Sequence, residues 1–268
     1  KTNKKADKSN LDNLLFKFIK KTLGLKKIQG LKRLSAVQIE NLTLSILGKY
    51  NNLTSPINID DFIKYIKSEY DLKFDFTQNL ETRNGKKIEG YFDIKNKAIL
   101  IDKSIFSSKQ FPFVLGHELG HFFLHSKLKA NQERYNDFSD SEYDFFTDKY
   151  ILENDKNWIE WQANKFSTFL FLPKELFINR LISYRRKIGI RRPQHIYLDK
   201  QPINQEDYYQ TVNYLSIYFG VSKTAIKFRI KELNLITDTM PKEDINREMR
   251  DLIEKIRIKG IFNTRANK

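Results

Sequence analysis

Hydrophobic and polar positions at the start of the chain follow a helical pattern. Over residues 11–23, apolar side chains recur three or four residues apart, which predicts an amphipathic helix. Two more helices are predicted over residues 35–47 and 60–70. Pro56 lies between them and separates them, because proline interrupts helical hydrogen bonding.

The pattern then changes to the period of two that is typical of strands. Residues 72–76 alternate as a strand, and residues 91–94 and 98–101 are predicted to pair as a hairpin across a polar turn. Helical spacing returns over residues 109–126. A small sheet is therefore expected directly before this helix.

The second half of the chain is predicted to be helical. After a polar stretch, a helix is expected over residues 157–172, and it ends because Pro173 follows. Another helix reaches about Tyr184, and further helices begin near Glu206. The last one, over residues 242–258, mixes both charge signs, which is typical of a partly exposed terminal helix.

These elements predict an α+β fold that is mostly helical and has a small antiparallel sheet. A chain of 268 residues has room for one large domain or two small ones. We expect three parts: a basic helical N-terminal extension (1–54), a core (55–200) that contains an acidic insertion (127–157), and a C-terminal helical region (201–268).

Composition narrows the class of protein. The chain is 40% hydrophobic and 13% aromatic, which is enough apolar material for a folded core. It has no cysteine, so disulfides, thiolate zinc sites and a cysteine nucleophile are excluded. No run approaches the roughly 18 apolar residues of a membrane span, and the polar start is unlike a secretory signal. A cytoplasmic protein is therefore expected.

The chain is strongly basic, and its excess charge lies in two segments. The formal net charge is +15, of which residues 1–33 contribute +9 and residues 176–198 contribute +6. Such a charge is typical of proteins with polyanionic partners, such as nucleic acid or an anionic membrane surface. Over residues 131–160, by contrast, nine acidic side chains outnumber three basic ones.

Three of the four histidines lie within nine residues, at His117, His121 and His125. Residues 117–121 read His-Glu-Leu-Gly-His, which is the H-E-x-x-H pattern. Residues four apart share a helix face, so both imidazoles can bind one Zn²⁺ while Glu118 reaches a water beside it as general base. The pattern predicts one catalytic zinc ion per chain.

Such a site needs a third protein ligand, and without cysteine the candidates are His125, His195 and a carboxylate from another helix. We favour Glu160, because it lies on a predicted helix that places Asn164 four residues later. There the Asn164 amide can hydrogen-bond a ligand imidazole. For His125 a packing or hydrogen-bonding role is expected rather than ligation, and His195 is expected to be an exposed loop residue.

Three stretches of the sequence together resemble the ImmA/IrrE family of metallopeptidases. They are residues 113–125 (FVLGHELGHFFLH), the pattern Glu160-x-x-Ala163-Asn164-x-Phe166, and residues 169–173 (FLFLP). The resemblance covers about residues 55–236. It implies a zincin-like core in which His117, His121 and Glu160 bind zinc and Glu118 is the general base.

The same resemblance implies a substrate and a biological setting. Members of the family are zinc endopeptidases that cleave a helix-turn-helix transcriptional repressor, often encoded beside them, in stress responses, mobile-element transfer or phage defence. Some relatives are thought to be activated by single-stranded DNA. The basic extension, the acidic insertion and the arginine-rich loop at residues 185–192 depart from the family pattern, and they bear on the substrate and regulation rather than on the chemistry.

Two basic regions are candidate nucleic-acid interfaces. Residues 212–231 fit a helix-turn-helix, with Gly220 in the turn and Ser222 as the N-cap of the second helix, although such geometry also occurs as plain packing. Exposed cations on that second helix and arginines that bond phosphate bidentately are the expected contacts. The candidate contacts are Arg185, Arg186, Lys187, Arg191, Arg192, Lys223 and Lys227.

A rival interpretation is a DNA-binding transcriptional regulator whose zinc site is structural or inactive. An open fourth position on the metal favours the enzyme, whereas a fourth protein ligand favours a structural site. The residue that helps to bind the oxyanion is not assigned. Tyr208, Tyr209, Tyr214 and His195 are candidates, and for each of them a structural role is the stronger interpretation.

Overall fold

The computed structural model describes residues 32–83, 86–126 and 155–240. Three predicted features lie outside these residues: the helix over residues 11–23, most of the acidic insertion at 127–157, and the helix over 242–258.

Helices make up most of the described residues. In chain order they are α1 (Ala36–Lys49), α2 (Ile59–Tyr70), the short α3 (Lys103–Phe106), α4 (Phe111–Gly120), α5 (Asp155–Phe171), α6 (Lys174–Lys187), α7 (Pro202–Phe219) and α8 (Lys223–Glu232). The predicted helices over 35–47, 60–70 and 157–172 are confirmed to within two residues at each end. The predicted helix over 109–126 is instead α4 followed by a π-helical turn, His121–His125.

The strands form one three-stranded sheet and two small pairs. They are β1 (Lys73–Asp75), β2 (Thr82–Arg83), β3 (Lys86–Lys87), β4 (Gly90–Asp93), β5 (Ala98–Ile101), β6 (Ile196–Leu198) and β7 (Ile236–Asp238). The sheet has the order β1-β5-β4, and the predicted hairpin is the antiparallel pair β4–β5. β1 runs parallel to β5, so the sheet is mixed rather than antiparallel as predicted. Alternation along residues 72–76 predicts a strand but not its direction.

Capping residues explain where several helices begin. Ser35 and Gln38 form a capping box at the start of α1, in which each side chain accepts from the backbone N–H of the other residue. Ser222 caps α8 by accepting from the backbone N–H three residues later. Just before it, Gly220 ends α7 with a φ of 67°, in the left-handed region that favours glycine.

One hydrophobic core is shared by the sheet and the helices on either side of it in the chain. Fully buried apolar side chains come from every α-helix except the short α3, and from the central strand β5, among them Ile39, Phe62, Ile99, Leu115, Phe166, Phe177, Leu215 and Ile226. The mostly helical α+β fold is therefore confirmed. Among the described residues, no helix combines the length and the apolar character that a membrane crossing requires.

A buried ionic network joins α8 to α1 and α5. Arg229 is 1% exposed and donates to the Leu172 carbonyl oxygen (3.0 Å), to Glu232 (2.8 Å) and to Glu40 on α1 (3.1 Å). Lys165 on α5 also pairs with Glu232. Burial raises the pKa of Glu232, but the two cations beside it hold that pKa below its usual value. A buried charge is tolerated only when it is fully paired, so the network fixes α8 against the core.

Candidate active site

Two histidines and a glutamate converge between α4 and α5. The Nε2 atoms of His117 and His121 lie 2.9 Å apart. From Glu160 on α5, Oε2 lies 3.3 Å from His117 Nε2 and Oε1 lies 3.8 Å from His121 Nε2. One ligand atom from each residue lies within 4.8 Å of the other two. The structure thus brings together the three side chains favoured from the sequence as metal ligands, and we call them the His117–His121–Glu160 cluster.

The chemistry of this cluster fits a zinc ion. His117 and His121 are 6% and 7% exposed, so their rings are largely shielded from water. The Oε1 atom of Glu160 is buried without a hydrogen-bond partner among the described residues. Buried polar atoms normally have a partner, and an ion between the three side chains would supply it. Two imidazoles and one carboxylate form the ligand set of a catalytic zinc site that keeps one position open.

Two glycines allow α4 and α5 to lie close enough for this convergence. A Cβ atom added to Gly116 would lie 2.5 Å from Ser167 Oγ, and one added to Gly120 would lie 2.8 Å from the Cα of Ala163. The H-E-x-x-H pattern alone does not point to these positions. The sequence signal for this close approach is a pair of small residues four positions apart on each helix. These pairs are Gly-x-x-x-Gly on α4 and Ala-x-x-x-Ser on α5.

The outer ring nitrogens of both histidines also have partners. His117 Nδ1 lies 2.8 Å from Asn164 Oδ1, an oxygen that only accepts, so the His117 N–H donates and its Nε2 is left for a metal. His121 Nδ1 lies 3.1 Å from His125 Nδ1. Burial, with the other histidines adding to it, lowers the pKa of His121 and lowers the pKa of His125 to about 3. The rings of His121 and His125 are therefore neutral at pH 7, and the neutral imidazole is the form that binds metals.

Glu118 lies between the two histidines in the sequence of α4. It is 2% exposed, so its carboxyl group is enclosed by the protein. One helical residue corresponds to a rotation of about 100°, which places Glu118 beside the histidine face rather than on it. Its assignment as general base stays a prediction.

A comparison with known families bears directly on this fold and this cluster. Residues 71–231 match the IrrE N-terminal-like domain of peptidase family M78, which is more than half of the chain and includes all three residues of the cluster. The chain belongs to peptidase family M78. It is therefore a metallopeptidase of the ImmA/IrrE type, as the order of its motifs predicted. A comparison with individual curated proteins finds no match.

The basic residues near the end of α6 in this M78 peptidase differ in their surroundings. Arg186, Lys187, Arg191 and Arg192 are exposed. Arg185 is 2% exposed, and it donates to Asp207 (2.6 Å) and to the carbonyl oxygens of Pro193 (2.9 Å) and His195 (2.6 Å). The prediction of a nucleic-acid contact does not hold for Arg185, because its guanidinium is buried and holds the loop in place.

The C-terminal helices α7 and α8 are joined by a three-residue turn. Ser216 Oγ donates to the Val221 carbonyl oxygen at 2.6 Å and so closes the turn. Lys223 and Lys227 are exposed on α8, while Ile226 on the same helix is fully buried in the peptidase core. The pair of helices is thus part of the packing of the M78 peptidase, and DNA reading by α8 stays a prediction.

Two of the side chains considered for oxyanion binding, His195 and Tyr214, contact residues outside the cluster. His195 Nε2 lies 2.8 Å from Thr237 Oγ1, and the Tyr214 ring stacks on Tyr184 with 3.8 Å between centroids. Tyr208 is buried, which raises its pKa, and the neighbouring Tyr209 is partly exposed. The contacts of His195 and Tyr214 do not support a role in oxyanion binding, and the oxyanion-binding residue stays unassigned.

Proposed function

We propose that this M78 peptidase is a zinc-dependent endopeptidase whose ion is bound by His117, His121 and Glu160. The observation that carries the proposal is the convergence of two buried imidazoles and a carboxylate whose buried Oε1 has no hydrogen-bond partner among the described residues. Zinc in such a site supplies Lewis acidity, which acidifies a water and polarises the scissile carbonyl. One ion per chain is expected, since the described residues contain this one cluster of metal-ligating side chains.

In the proposed mechanism, Glu118 performs the proton transfers. Its carboxylate accepts a proton from the attacking water as the new carbon–oxygen bond forms. The same proton then passes to the amide nitrogen, which leaves as the amine when the peptide bond breaks. Asn164 holds the His117 ring, so that His117 keeps Nε2 directed at the cluster while this happens.

The sheet offers a place for an extended peptide beside the cluster. β4 is an edge strand among the described residues, and an edge strand can pair with a substrate backbone. β4 begins at Gly90, where an added Cβ would lie 2.9 Å from Val114 Cγ1, one turn before His117. The resemblance to the ImmA/IrrE family supports a helix-turn-helix repressor as the protein substrate.

The test uses purified wild type, Glu118→Gln and Glu160→Ala, with a helix-turn-helix repressor encoded beside the gene as substrate. Wild type and Glu118→Gln should each contain one zinc ion per chain by elemental analysis, and only the wild type should cleave. Equal cleavage by Glu118→Gln would contradict the general-base assignment. Unchanged zinc affinity in Glu160→Ala would remove Glu160 from the ligand set.

A second part of the proposal is that DNA binds this protein and stimulates cleavage. It is supported by the four exposed cations Arg186, Lys187, Arg191 and Arg192, which follow Tyr184. The Tyr184 ring stacks on Tyr214, and the Arg180 guanidinium lies 3.8 Å from the centroid of the Tyr218 ring. Surfaces that bind single-stranded nucleic acid combine cations with aromatic rings on which bases stack.

This part is tested by the anisotropy of a labelled single-stranded oligonucleotide at several salt concentrations. Arg191→Ser/Arg192→Ser should weaken binding and flatten the salt dependence, and should leave cleavage without DNA unchanged. The rival regulator predicts tight, sequence-dependent binding to duplex DNA and no proteolysis with any added DNA. Equal binding by the variant and the wild type would remove this surface from the proposal.

A further inference from the structure

His125 is the one histidine of the H-E-x-x-H region that the cluster does not use. It is 1% exposed, and its Nδ1 lies 3.1 Å from Nδ1 of His121. The two residues are the first and last of the π-helical turn His121–His125. Single π-turns inside α-helices occur frequently at functional sites.

The position of His121 determines which of these two nitrogens is the donor. Its Nε2 lies 2.9 Å from His117 Nε2 and 3.8 Å from Glu160 Oε1, so Nε2 is the atom that faces a metal. A neutral imidazole that gives the Nε2 lone pair to a metal carries its proton on Nδ1. The His121 Nδ1–H therefore donates to His125 Nδ1, and His125 must hold its own proton on Nε2.

The surroundings of His125 argue against a role in packing alone. Its Nε2 is buried without a hydrogen-bond partner among the described residues. A buried N–H without an acceptor destabilises the folded protein, and an apolar side chain of similar size would avoid that cost. His125 is also absent from the cluster of atoms that can share one ion. Its useful contact is thus the one through Nδ1.

We infer that His125 is a positioning residue for the metal site: it accepts the Nδ1–H of His121 and fixes the tautomer and ring orientation with which His121 presents Nε2. Asn164 does the same for His117 from the other helix. Both acceptors are neutral, so they raise the basicity of the ligands less than carboxylates in the same places would. The inference rests on the proposed function, since it assumes that the cluster binds zinc.

The test compares His125→Leu with His125→Asn, two side chains of nearly the same shape. The Asn Oδ1 can occupy roughly the place of Nδ1 and accept from His121, whereas Leu cannot accept. Zinc affinity is measured by competition with a chromogenic chelator, and the thermal unfolding of each zinc-free protein is recorded alongside. We expect His125→Leu to bind zinc about 10- to 100-fold more weakly than the wild type, and His125→Asn to recover most of that loss.

The zinc-free proteins separate positioning from packing. If His125 positions His121, the unfolding temperature of zinc-free His125→Leu should equal or exceed that of the wild type, because the buried N–H without a partner is gone. Long-range ¹H–¹⁵N spectra of the zinc-loaded wild type and His125→Asn should show His121 protonated on Nδ1.

Three results would overturn the inference. Equal zinc affinity in the wild type and His125→Leu would overturn it alone and leave the proposed function standing. An equal loss of affinity in both variants, with a lower unfolding temperature in both, would assign His125 to packing. A wild type that binds no zinc would remove the proposed function together with the inference.

Discussion

The close approach of α4 and α5 makes Gly120 a sensitive position. In Gly120→Ala the new Cβ would lie 2.8 Å from the Ala163 Cα and 3.0 Å from the Ala163 carbonyl oxygen. Both are backbone atoms that cannot rotate away, and an ordinary contact for a Cβ is 3.4–4 Å. One helix must therefore move away from the other by roughly half an ångström, which is more than the tolerance of about 0.2 Å on metal–ligand distances.

The expected change in stability is the balance of two effects. Overpacking costs about 1–3 kcal/mol, and replacing glycine by alanine within a helix contributes about 1 kcal/mol of stability. Gly120 already has helical backbone angles, φ −58° and ψ −46°, so alanine adds no backbone strain. Gly120→Ala should thus lower the free energy of unfolding by up to about 2 kcal/mol and weaken zinc binding as the cluster opens.

Gly48→Ala is the matched control, because Gly48 also lies in a helix and an added Cβ there meets nothing within 4 Å. Its free energy of unfolding, measured in urea, should rise by up to about 1 kcal/mol, and its zinc affinity should equal that of the wild type. The reasoning is refuted if Gly120→Ala is as stable as Gly48→Ala and binds zinc as tightly.

Three further predictions address other parts of the molecule. Asn164→Leu removes the acceptor of His117 and should weaken zinc binding about 10- to 100-fold. Asn164→Asp keeps an acceptor, and its carboxylate raises the basicity of His117 more than the amide does, so it should bind zinc at least as tightly as the wild type in the same chelator competition. Arg185→Ala leaves the largely buried carboxylate of Asp207 without its ion-pair partner and should lower the free energy of unfolding by about 3 kcal/mol. Arg186→Ala, at the exposed neighbour, should change it by no more than about 0.5 kcal/mol, and equal effects in denaturant titrations would contradict the difference in burial. The pKa of Glu232 is held below its usual value of 4.5, so its contribution to stability is present above that pH and is lost as the pH falls through the lower folded-state pKa. Glu232→Gln should therefore be less stable at pH 7 and lose less stability on acidification, and parallel stability curves for the two proteins would contradict this.

Local spacing made much of the site predictable. His117 and His121 share a face because they are four residues apart, and Glu160 and Asn164 share a face for the same reason. The hairpin was predictable because two short runs rich in aromatic and β-branched residues, 91–94 and 98–101, flank a polar turn, and this is a local signal. In each case the information lies within a few neighbouring residues.

Features set by distant partners were not predictable in this way. Arg185 and Arg186 are adjacent and chemically identical, yet only the first is buried, because Asp207 and the loop carbonyls lie on its side of the helix. β6 and β7 were missed because three-residue parallel strands about forty positions apart leave no local pattern. The π-turn after Gly120 was missed as well, since apolar spacing does not distinguish one widened turn from a regular helix.

The ionic network around Arg229 also affects how such a protein could be divided or recombined. A chain shortened before α8 would leave the Leu172 carbonyl oxygen and Glu40 without the guanidinium that binds them. Lys165, which lies on the same helix as Glu160, would lose its ion-pair partner Glu232. Free-standing DNA-binding domains can be exchanged between proteins as independent units. Helix α8 cannot be exchanged in this way without disturbing the peptidase core to which it is bound.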